Sequence, residues 1–320
     1  MEVRFWGVQG SIPAPLTTGE YLTKLRSVLL SAHGVDLSSD ERIEQFIQGL
    51  DFPVRHVIRG DTTCISVTDG ETLLIFDAGS GLRRLGIHLM SLPDSPYARG
   101  QGQVHLFFSH HHHDHTNGFP FFTPAYIPGN WIYFYGLHPN LEERMVGLQV
   151  YEYFPVPFHV MAAKKAFISL EPDQPITVGA FTITPFELKH PGGAYGYRVE
   201  WKDRVFVYSS DSEFQNPSAA EIFYYTHAYR DADLLYFDAQ YTLTESFVKE
   251  DWGHSSAWMG IDLSVRARVK RLLLGHHEPS HSEEELFVLL EEARRYLQLN
   301  YPEATLEVLL AVQDQSFRLE

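Results

Sequence analysis

The chain has 320 residues, of which 44% are hydrophobic and 14% aromatic, and this composition excludes a disordered or low-complexity protein. Its 25 Lys and Arg residues against 41 Asp and Glu residues give a net charge of −16, which disfavours general binding to nucleic acid. The single cysteine, Cys64, excludes an intramolecular disulfide and fits a reducing compartment. The first residues do not resemble a secretory signal, and no apolar run approaches the roughly 20 residues of a bilayer crossing. We therefore expect a cytoplasmic protein without membrane contact.

The first strand is predicted at 3–6 and leads into a loop at 7–15 that is punctuated by glycine and proline. Apolar residues then recur at helical spacing, which predicts a helical insertion at about 19–50. Ser39 is a candidate N-cap for the second helix of this insertion. The insertion is either a structural cap over the core or a lid over a substrate.

The rest of the chain alternates strands and helices. Two strands at 64–68 and 72–77 flank the turn dipeptide Asp69-Gly70, which predicts a hairpin. Further strands are predicted at 103–109, 131–135, 181–188, 195–201, 204–210, 234–238 and 269–274. Helices are predicted at 140–147, 217–228, 255–267 and 283–298. The segments 306–310 and 317–319 are predicted to form a closing hairpin.

The strands occur in an early and a late group, each followed by helices. This order predicts an α+β fold in which two β-sheets pack face to face with helices outside. We find no internal repeat, linker or low-complexity tract, so residues 1–320 are predicted to form a single domain that includes the helical insertion.

The strongest chemical signal is the run His110-His111-His112-His113-Asp114-His115, which follows an apolar strand. Alternate residues of an extended segment project the same way, so His110 and His112 can face one metal ion. Asp114 and His115 follow one turn later and can face a second ion. The competing interpretation is a histidine tag or a surface cluster, but tags are terminal and such a cluster would not end in Asp-His. Asp and His suit zinc and also manganese or iron, so the run predicts a metal site.

One short run supplies only part of each coordination shell, so further ligands are needed. His190, Asp211 and His276 each follow a predicted strand. Strand-end loops on one rim of a sheet are where a rigid scaffold brings distant residues together. Each candidate is weak alone, because a single histidine in a loop is more often a hydrogen-bonded residue than a ligand. Together with the run they form a set.

This ordered set resembles the metallo-β-lactamase superfamily. The likeness rests on His-x-His-x-Asp-His at 110–115, followed by a distant His, Asp and His, and on the segment 75–81, which resembles the superfamily's first motif. It covers nearly the whole chain in order. The resemblance implies an αββα sandwich of two mixed β-sheets with a dinuclear metal site at one rim.

Within the superfamily, the chain is most similar to the branch that includes ribonuclease Z and cyclic nucleotide phosphodiesterases. The opening loop at 5–13, the segment 190–198 and the motif at 253–256 carry this likeness. Two positions depart from the branch, with Gln9 in place of an arginine and Asp61 in place of an asparagine. If these positions contact substrate, the specificity has drifted.

The resemblance implies a role for each candidate ligand. The ligands of the first metal ion would be His110, His112 and His190. Those of the second would be Asp114, His115 and His276, with Asp211 bridging the two ions. Zinc is the first candidate for both ions, with manganese or iron as alternatives. Asp77 would orient the metal-binding loop, while His277 and His281 make the choice of His276 less firm because they could support a ligand or contact substrate.

The implied mechanism is attack by a metal-bridged hydroxide. Two divalent ions about 3.5–4 Å apart lower the pKa of a trapped water toward about 7 and neutralise phosphate oxygens. Asp114 could accept the proton of the water, and His254 is the natural general acid for the leaving alkoxide. The alternative for His254 is a structural role at a helix N-terminus. Ser255 and Ser256 could cap that helix or donate to phosphate.

The predicted function is a dinuclear metal-dependent phosphodiesterase acting on a small phosphodiester, with a cyclic nucleotide as the first candidate. A ribonuclease Z-like RNA 3′-end endonuclease is an alternative, but we find no glycine-rich basic arm and a charge of −16 opposes an extended nucleic acid. A thioester- or lactam-hydrolysing enzyme is another. A redox di-iron centre and a non-catalytic metal-binding protein are further alternatives. A homodimer is one possible oligomeric state.

The aromatic residues at 119, 121, 122, 151, 153 and 154 also have two interpretations. They could wall a pocket for a stacked base, or they belong to the hydrophobic core, which aromatic side chains dominate.

Overall fold

The computed structural model describes residues 1–214 and 216–320. Among these residues, the strands of the first sheet are β1 (Glu2–Gly7), β2 (Cys64–Thr68), β3 (Leu73–Phe76), β4 (Gln103–Phe107), β5 (Trp131–Gly136), β6 (Lys164–Ser169) and β14 (Ser316–Arg318). Those of the second sheet are β7 (Ile176–Val178), β8 (Phe181–Leu188), β9 (Ala194–Trp201), β10 (Arg204–Ser209), β11 (Leu234–Asp238), β12 (Arg271–Gly275) and β13 (Glu307–Leu310).

The first sheet has the strand order β14-β1-β2-β3-β4-β5-β6 and the second has the order β13-β12-β11-β10-β9-β8-β7. Both are mixed. In the first sheet the strands from β3 to β6 are parallel, and in the second the strands from β10 to β13 are parallel. The predicted architecture of two mixed sheets with helices is confirmed.

The α-helices of the described residues are α1 (Thr18–Ser31), α2 (Asp40–Gln48), α3 (Phe52–Arg55), α4 (Gly81–Ser91), α5 (Leu141–Gly147), α6 (Ala219–Tyr229), α7 (Leu243–Val248), α8 (Ala257–Ala267) and α9 (Glu283–Asn300). None of them combines the length and hydropathy that crossing a membrane requires.

Three apolar layers hold the fold together. The central layer lies between the sheets and is rich in aromatic rings, with Phe76 in contact with Phe107, Tyr197, Phe206 and Tyr208 at centroid distances of 5.3–6.2 Å. The second sheet packs its other face against α6, α8 and α9, and the first sheet packs its other face against α4 and α5. Because each fully buried large apolar side chain contributes about 1.5–3 kcal/mol, these layers fix the positions of the strand ends.

The predicted closing hairpin is wrong. β13 pairs in parallel with β12 in the second sheet, whereas β14 pairs antiparallel with β1 in the first sheet. The connection crosses between the sheets, with the Asp314 amide donating to the Phe5 carbonyl at 2.7 Å. Each sheet offers an open edge, and local pattern cannot distinguish an open edge from the neighbouring strand as the pairing partner.

The helical insertion packs differently from the rest of the chain. None of the described residues in α1, α2 and α3 is buried, and Ser39 caps α2 as predicted. The insertion is attached by Lys24, which pairs with Glu283, and by Arg59, which pairs with Glu20 at 2.5 Å. The insertion therefore has no buried core of its own among the described residues, and these ion pairs join it to the rest of the fold.

Candidate metal centre

The predicted ligands all follow carboxyl ends of strands at one rim of the sandwich. β10, β11 and β12 run parallel, and β8 has the same direction because both β8 and β10 are antiparallel to β9. Asp211, His276 and His190 follow β10, β12 and β8, and the histidine run follows β4. Parallel strands present their carboxyl ends at the same edge, so the topology converges four distant segments.

The first cluster contains His110, His112, His190 and Asp211, whose ligand atoms lie within 4.8 Å of one another. His112 is exposed, and its Nδ1 lies 3.2 Å from His190 Nε2. His110 Nε2 lies 3.6 Å from Asp211 Oδ2, and His190 Nε2 lies 3.8 Å from the same oxygen. These are the residues predicted for the first metal ion.

The second cluster contains Asp114, His115, Asp211 and His276, again within 4.8 Å. Asp114 Oδ2 lies 3.2 Å from the Nε2 atoms of both His115 and His276. The Ser11 amide donates to the same Oδ2 at 2.8 Å, which ties the opening loop to the cluster.

Asp211 is shared by the two clusters through different oxygens. Its Oδ2 faces His110 and His190, and its Oδ1 lies 3.2 Å from both His115 Nε2 and His276 Nε2. The residue is buried and has φ of +43°, an unusual backbone conformation for a residue other than glycine. This is the placement that a bridging carboxylate requires.

Four of the imidazoles are oriented in the same sense. Each forms a hydrogen bond through Nδ1 to an oxygen outside the centre, at 2.7–3.0 Å, and turns Nε2 inward. His110 bonds Ser109 Oγ and His115 bonds the Asp77 carboxylate. His190 bonds the Gly253 carbonyl and His276 bonds Gln240 Oε1. An Nδ1–H donor leaves a lone pair on Nε2, which is the tautomer that binds a metal.

Asp77 is the deepest support of the centre. Its carboxylate accepts from the Ser109 amide and hydroxyl, from the Tyr208 hydroxyl and from His115 Nδ1, at 2.5–2.7 Å. Ser109 follows a strand of the first sheet and Tyr208 belongs to the second. Asp77 is fully buried and touches the imidazole from behind, as expected for a residue that orients a ligand.

The donor set fits divalent cations. Asp114 and Asp211 are both buried, and buried carboxylates need compensating positive charge. Burial alone would lower the pKa of His276, but the carboxylates of Asp211 and Asp114 outweigh it and raise the pKa to about 9. His110 Nε2 is buried and has no hydrogen-bond partner among the described residues. The chain therefore supplies nitrogen ligands and two buried carboxylates at the same point.

His254 lies beside the two clusters. Its Nδ1 donates to Asp238 Oδ2 at 2.8 Å, and its ring centroid is 5.0 Å from that of His276 and 5.4 Å from that of His190. It precedes α8, whose N-cap position is Ser256. His254 is thus held by a carboxylate, and with Asp238 and His276 it forms a third, smaller group of potential metal ligands.

The adjacent serines have separate positions. The Ser255 hydroxyl donates to the Ser212 carbonyl, whereas Ser256 occupies the N-cap position of α8 without a capping hydrogen bond from its side chain. Ser255 therefore anchors the segment that carries His254 rather than capping the helix.

His111 points away from both clusters, as the predicted register requires. Its ring stacks on Phe108 and contacts His138 edge-on at 5.3 Å. Burial lowers the pKa of His111 to about 3, so the ring is neutral. His111 therefore belongs to the packing beneath the loop.

The two histidines that competed with His276 lie elsewhere. His277 Nε2 bonds the Ala311 carbonyl at 2.8 Å, and burial lowers its pKa to about 4. His281 Nε2 lies 3.1 Å from Glu245 Oε1. Neither residue is in a cluster of potential metal ligands among the described residues.

The two departures from the family branch are structural in position. Gln9 is fully buried and its amide donates to the His277 carbonyl. Asp61 accepts from the Ser80 hydroxyl at 2.7 Å. Both residues hold the opening loop against the rim.

The aromatic residues divide between core and surface. Phe119 and Phe122 are fully buried in the layer outside the first sheet, so they cannot wall a pocket. Phe121, Tyr151 and Tyr153 are exposed.

Comparison with known proteins places this centre in a family. The model of the "Beta-lactamase superfamily domain" matches residues 72–277, which include every predicted metal ligand. The chain belongs to the beta-lactamase superfamily. The predicted superfamily is thereby confirmed, and membership supports a metal-dependent hydrolase.

Three solved structures and one curated relative are similar to this chain at low sequence identity. A probable metallo-hydrolase of Bacillus subtilis, YhfI, is 29% identical over 109 residues, which are 34% of this chain and only 41% of that protein. Its crystal structure superposes with a TM-score of 0.61 and 19% identity, over 99% of this chain and 98% of the other. The short form of human tRNase Z gives 0.62 and 16%, covering both chains completely. A diphosphatase of the PhnP family gives 0.59 and 16%, over 100% and 98%. These likenesses show the superfamily fold.

Three supporting residues of this superfamily centre were not predicted from the sequence. Asp238 ends β11 at the same rim and accepts a hydrogen bond from His254, while Gln240 Oε1 accepts one from His276 Nδ1. Glu213 accepts from the amides of Asp251 and Gly253 at 3.0 and 2.9 Å. Asp238 had a usable signal, since it follows a predicted apolar strand between the strands that precede Asp211 and His276.

Proposed function

We propose that the protein is a dinuclear metal-dependent phosphodiesterase that hydrolyses a small phosphodiester, with a cyclic nucleotide as the first candidate. The observation that carries this proposal is Asp211, whose two oxygens face two separate His/Asp clusters. His254, which belongs to neither of these two clusters, lies next to both. Two cation sites and an adjacent proton donor suit the hydrolysis of a phosphodiester.

The residues that would hold the ions are the members of the two clusters. Bound divalent cations would supply an activated water and neutralise the charge of phosphate oxygens. The chain itself fixes the ligands in advance, because Nδ1 of each of the four oriented imidazoles is already engaged. Pre-oriented ligands need little rearrangement when charge develops on the reacting phosphate.

Asp114 is placed to accept a proton as well as to bind a cation. Its contacts with Ser11, His115 and His276 all involve Oδ2. Oδ1 makes none of these contacts. We therefore propose that Oδ1 of Asp114 accepts the proton.

His254 would donate the proton to the leaving oxygen. The Asp238 carboxylate accepts from Nδ1, which leaves Nε2 on the opposite side of the ring from Asp238. A protonated Nε2 can then transfer its proton to the leaving alkoxide, and Asp238 keeps the ring in place throughout.

A small substrate agrees with the charge of the chain. A net charge of −16 repels a polyanion over long distances, whereas a single phosphodiester is attracted locally by two bound cations. Ribonuclease Z-like cleavage and thioester or lactam hydrolysis are the alternatives that the assay must separate.

The test is a panel of substrates offered with Mn²⁺ and Zn²⁺ separately. It contains bis-p-nitrophenyl phosphate, 2′,3′- and 3′,5′-cyclic nucleotides, precursor transfer RNA, a thioester and a β-lactam. We expect turnover of the small phosphodiesters and loss of it on chelation. Turnover of the thioester or lactam alone, or of precursor transfer RNA alone, would contradict the proposal.

A further inference from the structure

A cavity of about 260 Å³ adjoins His254 between α7 and the start of α8. Its apolar walls include Leu243, Phe247, Trp258 and Met259. Pockets for whole small-molecule ligands usually measure about 300–1,000 Å³. A space of this size therefore fits one ring system rather than a complete nucleotide.

The position of the cavity relates it to the leaving group. His254 lines the cavity and also lies within ring contact of His276 and His190. If His254 protonates the leaving oxygen, the group attached to that oxygen continues past the imidazole. Because His254 lines the cavity, the cavity is a candidate space for that group.

The charge of the lining selects what can enter. Among the described residues that line the cavity, Asp262 is an acid and none is a lysine or arginine. Asp262 Oδ1 accepts from the hydroxyls of Tyr296 and Tyr301 at 2.9 and 2.8 Å, so this carboxylate is fixed in place. A fixed carboxylate repels a phosphate and accepts hydrogen bonds from amino and imino groups.

We propose that this cavity binds the nucleobase of the nucleoside attached to the leaving oxygen, in contact with Phe247 and Trp258. The inference rests on the proposed phosphodiesterase function and specifies its substrate class as nucleoside phosphodiesters. Phe247 lines the cavity and is 68% exposed, so part of its ring is open to contact with a stacked base. Each base–aromatic stacking contact strengthens binding by roughly 5- to 150-fold.

The decisive variant is Phe247→Ala, with Phe223→Ala as its matched control. Phe223 is 75% exposed on α6 and does not line this cavity. The substrates are adenosine 3′,5′-cyclic phosphate and the abasic 1-deoxyribose 3′,5′-cyclic phosphate. We expect Phe247→Ala to raise KM for the adenosine substrate about 10-fold, with kcat within about twofold and no change on the abasic substrate. Phe223→Ala should leave all four constants unchanged.

The failure of this inference can be separated from failure of the proposed function. If the wild type cleaves both substrates with equal KM, the phosphodiesterase stands and the base site is refuted. Saturation-transfer NMR of adenosine with the full-length protein tests base binding without any turnover. Loss of the adenosine signal in Phe247→Ala alone supports the site, and absence of a signal from the wild type overturns it.

Discussion

Replacing His254 by alanine gives the sharpest test of the assigned chemistry. The ring belongs to neither of the two four-residue clusters, so both metal ions should stay bound. The variant loses the proton at Nε2. In the wild type, Asp238 orients the ring by accepting a hydrogen bond from Nδ1 at 2.8 Å. A general acid contributes about 10²–10⁴-fold in rate, which is about 2.7–5.4 kcal/mol of transition-state stabilisation.

The size of the loss should depend on the leaving group. A nucleoside alkoxide needs protonation, so its release should slow by the full factor, whereas p-nitrophenolate leaves unprotonated and its release should change by less than about threefold. The assay compares kcat/KM on a cyclic nucleotide and on bis-p-nitrophenyl phosphate, with the metal content of each protein measured in parallel. Equal losses on both substrates with metals retained would show that His254 positions phosphate and donates no proton. Asp238→Asn, which keeps the ring, should give a smaller loss with the same dependence on the leaving group.

Protein purified without a histidine tag should contain about two divalent ions per chain by elemental analysis, and activity should disappear on chelation. Asp211→Ala should lose both ions because its oxygens face both clusters, whereas His111→Ala should keep them; equal metal loss in the two variants would show that the register of the histidine run is wrong. Gly253→Ala should lower the melting temperature and weaken the first ion site, because φ is +89° there and a Cβ would collide with the His190 ring; an unchanged melting curve and metal content would contradict this packing. Burial raises the pKa of the Cys64 thiol, so the native protein should not react with a disulfide reagent at pH 8, and one thiol should appear on unfolding.

The fold was predictable where local pattern and long-range pairing agree. The hairpin at Asp69-Gly70 formed because Asp69 Oδ1 accepts from two following amides and Gly70 adopts φ of +99°. The two terminal strands were mispaired because their pairing depends on which sheet edge is open. β6, β7, α4 and α7 were missed, since their apolar residues are few or serve layers that only the assembled sandwich creates.

The candidate ligands were predictable because their residue types and strand-end positions are local properties. Their ligand atoms lie together in the structure, while their roles as ligands stay a prediction. The residues that orient these ligands were harder to predict from the sequence. Gln240 and Glu213 carry no motif, and they matter only because β11 and the segment before α8 bring them against His276 and Gly253. Such contacts arise from tertiary packing, which spacing along the chain does not encode.

The contacts of Asp77 limit where mutations can alter the substrate preference of this protein during evolution. The Asp77 carboxylate accepts hydrogen bonds from Ser109 beside the first sheet, from Tyr208 of the second sheet and from His115 in the second cluster. The packing between the sheets and the orientation of this imidazole therefore depend on the same residue and form one structural unit. A mutation that loosens the sandwich disturbs the reactive face, and metal binding in turn stabilises the sandwich by mass action. New substrate preferences therefore have to arise in segments outside this unit. α7 is such a segment, since none of its described residues is buried and it borders the cavity beside His254.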